Sequence, residues 1–82
     1  MTDPATSRVT LYSRPGCHLC DEARTVIERV CAEAGTSYDE VDITTSTELT
    51  SAYAEQIPVT FVDGRQHDFW RVDADRLRVA LS

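Results

Sequence analysis

Cys17 and Cys20 stand where the pattern of a β-strand gives way to that of a helix, and this junction constrains the chain more than any other feature. Upstream, Arg8-Val9-Thr10-Leu11-Tyr12-Ser13 alternates apolar and polar side chains, with β-branched and aromatic members, and reads as a first strand. Arg14-Pro15-Gly16 breaks it. Downstream, Leu19, Ala23, Val26, Ile27, Val30, Cys31 and Ala34 trace one helical stripe, which Gly35 stops as a C-cap. The cysteines therefore sit at a helix N-terminus that follows the C-terminal end of a strand, a recurrent position for chemistry in α/β sheets.

The remaining elements follow from the same signals. Ser37 to Ile43 forms a second strand with Tyr38, Val41 and Ile43 as its apolar members. Thr45-Ser46-Thr47-Glu48 offers a Thr-x-x-Glu capping pattern for a short helix with Leu49, Ala52 and Tyr53 on its apolar stripe, ending before Pro58. Val59-Thr60-Phe61-Val62, Asp63-Gly64, then Arg65 to Val72 is a hairpin, because Asp-Gly supplies the positive φ angles of a two-residue turn. Asp73 caps a last helix that buries Leu77, Ala80 and Leu81. The order is β-α-β-α-β-β-α. Strands joined through a helix pair in parallel and a hairpin adds its strands antiparallel, so a four-stranded mixed sheet with helices on both faces is predicted.

With 82 residues there is room for one core, and residues 8–82 are assigned to one domain behind a tail of residues 1–7. A net charge of -6, with acidic residues from Asp3 to Asp75, argues against a nucleic-acid surface. No stretch approaches the ~20 apolar residues of a membrane span. Met1 to Ser7 has neither the basic nor the apolar segment of a secretory signal, so a cytoplasmic location is expected. Three cysteines are an odd number for a framework of structural disulfides.

The C-x-x-C spacing fits redox chemistry or half of a metal site. Residues three apart at a helix start have Cβ atoms roughly 5–6 Å apart, a gap that a small adjustment of the first turn closes to disulfide range. Cys17 lies against unpaired N–H groups at the positive end of the helix dipole, which favours its thiolate, so Cys17 is the expected nucleophile and Cys20 the resolving thiol. Asp21 and Glu22 oppose part of that stabilisation. Zinc would require two more ligands; Cys31 lies about 16 Å along the same helix, and His18 and His67 are isolated. Cys31 reads as a core residue, and Trp70, in the last strand, as a core or hairpin-packing residue. His18 is either a tuner of the nucleophile or an exposed spacer.

Pro15-Gly16-Cys17-His18-Leu19-Cys20 between strand and helix, followed by Ile57-Pro58-Val59 and the Asp-Gly hairpin, resembles a glutaredoxin within the thioredoxin fold, from Val9 to Leu81. The resemblance implies a thioredoxin-like, glutaredoxin-type α/β domain in which Pro58 is cis and faces Cys17. It also implies that the main chain of Ile57 pairs with an extended substrate, and that Arg14, His18 and Leu19 border it. Arg14 stands where glutaredoxins commonly have Lys, Leu19 replaces an aromatic residue, and Trp70-Arg71-Val72-Asp73 replaces a Gly-Gly pair that admits glutathione. Weak glutathione binding is the expectation.

The function expected is that of a thiol-disulfide oxidoreductase, a monomer without a bound cofactor, acting on disulfide-containing proteins or small thiols. Glutathione, mycothiol or another thiol is its co-substrate, or thioredoxin reductase its reductant. The alternatives are a non-enzymatic module holding a metal or an iron-sulfur cluster between subunits, and a redox-sensing adaptor.

Overall fold

A computed structural model describes residues 8–82, and the tail assigned to residues 1–7 lies outside them. The elements are β1 (Val9–Ser13), α1 (His18–Ala34), β2 (Tyr38–Asp42), a single 3-10 turn (Ile43–Thr45), α2 (Thr47–Tyr53), β3 (Val59–Val62), β4 (Arg65–Phe69) and α3 (Ala74–Leu81). The sheet order is β2-β1-β3-β4, with β1 parallel to β2 and antiparallel to β3, and β3 antiparallel to β4. This is the mixed sheet that the helix crossover and the hairpin require.

Alternation along β1 divides the interior. Val9 and Leu11 pack with Ala23, Ile27, Val30 and Cys31 of α1, Val62 of β3, and Leu77 and Leu81 of α3. On the other side Tyr12 stacks on Tyr53 of α2 at 5.1 Å between ring centroids and meets Phe61 edge-on at 5.3 Å. Helices thus cover both faces. The boundaries are set locally: Gly35 ends α1 in the left-handed region at φ 70°, where its N–H and that of Thr36 donate to the Ala32 and Cys31 carbonyls. Asp63 and Gly64, at φ 51° and 81°, turn the hairpin, and the Asp73 carboxylate accepts the Asp75 and Arg76 N–H groups to start α3.

Beyond one-residue shifts at the starts of β1 and β2, three boundaries differ from the sequence reading. Ile43 belongs to the 3-10 turn rather than to the strand, because the Asp42 carboxylate accepts the Thr44 N–H and tightens the chain there. Ser46, not Thr45, caps α2 by accepting the Leu49 N–H, and Ala52 on that short helix is exposed. β4 stops at Phe69 instead of reaching Val72, since Trp70 turns into the left-handed region at φ 64°.

Arg24 on α1 ties that helix to β2, donating to Glu40 at 2.7 Å from both Nε and Nη2, while Ser13 donates to the same carboxylate at 2.6 Å. The Arg24 hydrogen bond holds the Glu40 carboxyl below its ordinary pKa against an opposing desolvation, and Arg78 and Arg8 do the same for Glu33 and Asp63. Groups depressed in the folded state stabilise it above the unfolded carboxylate pKa of about 4.3, and that stability is lost as pH falls through the lowered folded values. Urea melts are therefore expected to show falling stability below about pH 5, with a shallower fall in Glu40→Gln; an identical acid slope in that variant would rule out the Arg24–Glu40 pair as a contributor.

Candidate active site

The site begins with a change of direction. β1 delivers the chain to Arg14, and Gly16, at φ 74°, turns it in a conformation that side chains with a Cβ rarely adopt. Cys17 follows as the N-cap of α1, with φ -95° and ψ 111°. Its carbonyl accepts the Asp21 N–H at 3.2 Å, and its Sγ accepts the Cys20 N–H at 3.2 Å. A side-chain acceptor at this position takes up one of the N–H groups that a helix start leaves unpaired. When that acceptor is sulfur, the same bond favours the thiolate.

Cys17 and Cys20 are disulfide-bonded, with Cα atoms 5.2 Å apart. The two differ in access: Cys17 is partly exposed, whereas Cys20 is 0% exposed. Cys20 packs with Ile43, Ile57 and Val59, and Cys17 borders that cluster. The carboxylates thought to oppose a Cys17 thiolate are engaged elsewhere. Asp21 pairs with Arg24 at 2.7 Å, and Glu22 faces His18 at 3.1 Å and Arg71 at 3.7 Å.

Cys17 opens onto a cleft of about 580 Å³. Of the residues singled out from the sequence, Arg14, His18, Leu19 and Ile57 line it with Cys17. Pro58 does not: it is fully buried, next in sequence to Ile57, and the Ile57–Pro58 bond is cis, as the resemblance implies. The Ile57 N–H donates to the Tyr53 carbonyl at 3.1 Å, which leaves the Ile57 carbonyl, rather than the whole peptide unit, for an incoming chain.

Trp70 is the main correction. It is neither core nor strand: it is 52% exposed and lines the cleft beside Phe69 and Arg71. Its main-chain N–H donates to the Pro58 carbonyl at 2.8 Å and to that of Gln56 at 3.2 Å, and its indole N–H to Glu55 at 3.0 Å. Those bonds hold a bulky residue at a positive φ, which costs energy for any side chain with a Cβ. Nothing local in the sequence announces that turn, because Phe69-Trp70 continues the β-type composition of the strand. Its one signal is the departure from the glutaredoxin pattern over residues 70–73.

Cys31 is 2% exposed in the other core cluster, and burial pushes its thiol above the ordinary value. Among the described residues no three His, Cys, Asp or Glu side chains converge as metal ligands, and no helix is long and apolar enough to cross a membrane.

A four-stranded mixed sheet with a cysteine pair at the start of its first helix and a cis-proline before its third strand defines a thioredoxin-fold protein with a site suited to redox chemistry. The fold is shared with a thioredoxin mutant from Halobacterium salinarum at TM-score 0.62 and 23% identity, over 89% of this chain and 69% of that one. Residues 8–82 match the family described as Glutaredoxin-like domain (DUF836), and the chain belongs to it. It is similar to an uncharacterized protein of Mycobacterium tuberculosis, 32% identical over 92% of this chain and 82% of that protein. It is also similar to a structural-genomics protein from X. campestris at 38% identity and TM-score 0.74, covering 89% of this chain and 93% of the other.

The difference in access sets a labelling order. In the reduced native protein, iodoacetamide is expected to modify Cys17 first and to reach Cys20 and Cys31 only on unfolding. Peptide mapping by mass spectrometry reads this; equal labelling of all three would contradict the geometry.

Proposed function

We propose that the protein is a thiol-disulfide oxidoreductase in which Cys17 attacks a disulfide and Cys20 resolves the product. The observation that carries this reading is the pairing of opposites at one helix start: a partly exposed Cys17 sulfur that accepts a main-chain N–H, beside a Cys20 with no exposure.

The Cys17 thiolate attacks one sulfur of the client disulfide. A Cys17–client bond forms as the client bond breaks, and the expelled sulfur leaves as a thiolate. Cys20 then attacks the Cys17 sulfur, its proton passing to the second departing client thiolate. Two electrons have moved from the dithiol to the client, which leaves as two thiols, the first taking from solvent the proton that Cys17 released on ionising. Two equivalents of an external thiol restore the dithiol and are oxidised to their own disulfide. Burial of Cys20 keeps it from attacking clients directly, so the order of the two steps is built into the packing.

In this reading Arg14, His18, Leu19 and Ile57 border the bound client, and Pro58 shapes the wall behind it. The client is a disulfide-containing protein or a small thiol compound. The reductant is glutathione, mycothiol or another small thiol, or else a thioredoxin reductase, and the protein acts as a monomer with no resident cofactor. Such activity belongs to electron transport and redox homeostasis in the cytoplasm, where reducing thiols are abundant.

The roles predict three different outcomes on substitution. Cys17→Ser abolishes disulfide reduction, Cys20→Ser stalls as a covalent adduct on Cys17, and Cys31→Ser stays active at a cost of about 1 kcal/mol in stability. Intact mass after exposure to a disulfide substrate, together with turnover, distinguishes them. Absence of any adduct in Cys20→Ser, with activity lost in Cys31→Ser, would reverse the assignments.

A further inference from the structure

The cleft beside Cys17 carries more recognition chemistry than disulfide exchange requires. Among the described residues the large exposed hydrophobic side chains are Phe69, Trp70 and Val79, and two of these three stand together in this cleft. Phe69 and Trp70 meet edge to face at 5.0 Å, 48% and 52% exposed, with the indole fixed through its bond to Glu55. Adjacent aromatic surface held rigidly on an acidic small domain marks a place where apolar groups dock.

Charge narrows the occupant. The protein has 14 acidic residues against 8 basic ones, yet Arg14 and Arg71 both line this cleft, where Glu55 is the one acidic lining residue and the Glu22 carboxylate stands at its edge beside His18 and Arg71. Arg14 has no ion-pair partner among the described residues, and Arg71 is 78% exposed with only a loose contact to Glu22. A basic rim on an acidic protein is complementary to an anionic ligand.

A small carboxylate-bearing thiol would satisfy the arginines but has little apolar surface to cover two aromatic rings. A polypeptide offers both. The Ile57 carbonyl, which has no donor among the described residues, also gives an extended main chain a hydrogen-bond acceptor in the cleft that Cys17 lines.

Resting on the oxidoreductase reading, we propose that Phe69 and Trp70, with Arg14 and Arg71, form a specificity subsite for an extended polypeptide that carries an apolar residue beside its disulfide cysteine and acidic residues flanking it. The left-handed backbone at Trp70 serves this role. It takes Trp70 out of line with β4 into the lining of the cleft, while the main-chain bonds to Pro58 and Gln56 fix it there.

The test separates recognition from chemistry. Calorimetric titration of the oxidised protein uses an acetylated peptide with leucine on each side of a serine that replaces the cysteine, and a glutamate at each end. Replacing the leucines by glycine, or the glutamates by lysine, is expected to weaken binding by about tenfold in each case. Trp70→Ala should lose the preference for leucine. The paired Arg14→Ser and Arg71→Ser changes, both at exposed positions, should lose the preference for glutamate even if Trp70→Ala fails to fold. Equal affinity for all three peptides, or tighter binding of glutathione disulfide than of the leucine-glutamate peptide, would overturn the subsite. Turnover of bis(2-hydroxyethyl) disulfide, which has neither charge nor a large apolar group, reports on Cys17 alone. Peptide preference without that turnover, and without reduction of the disulfide-linked dimer of the same peptide bearing cysteine in place of the serine, sinks the redox reading and leaves the subsite standing.

Discussion

The bond from the Cys20 N–H to the Cys17 sulfur is the point on which the arrangement turns. A helix start leaves main-chain donors without partners, and folded proteins place an acceptor there. Here the acceptor is a cysteine sulfur, so the interaction that begins α1 also involves one half of the cysteine pair. Everything around it keeps that helix start in place. Gly16 turns the chain into it, β1 anchors the approach from the centre of the sheet, and Ile27 and Val30 hold the rest of α1 against the core.

The two halves of the interior serve different ends. The cluster formed by α1, α3 and the β1 face is aliphatic and closed, and Cys31 belongs to it as a small apolar residue. The cluster around Cys20 runs through Ile57 to the cleft and is bounded by the Tyr12–Tyr53–Phe61 rings. One is a foundation, while the other is a floor whose upper surface lines the cleft beside Cys17.

What the sequence disclosed follows the range over which each signal acts. The Cys17–Cys20 pair, the Gly35 stop, the Asp63-Gly64 turn, the Asp73 cap and the α1 stripe from Ala23 to Cys31 are written within a few residues each, and the structure has them where the pattern puts them. The stripe's two ends depart from it, Leu19 lining the cleft and Ala34 exposed. Competition between neighbouring caps was less legible. Thr45 and Ser46 are both suitable acceptors, and the preceding 3-10 turn at Asp42 decides for Ser46. Trp70 was hidden for a stronger reason. Its conformation is imposed by carbonyls of the 55–58 segment, a dozen or more residues away in sequence, so no local pattern could mark it as part of the site.

Arg8 closes the molecule at its other pole. Its guanidinium spans Asp63 at the hairpin turn and the carbonyls of Ala80 and Leu81 at the end of α3, gathering the start of β1, the tip of β3–β4 and the last helix into one knot. The cleft lies at the far end of β1. The described chain therefore enters at Arg8 and leaves at Ser82 on the side away from Cys17, so a partner or reporter fused after residue 82 starts out from the pole opposite the cleft.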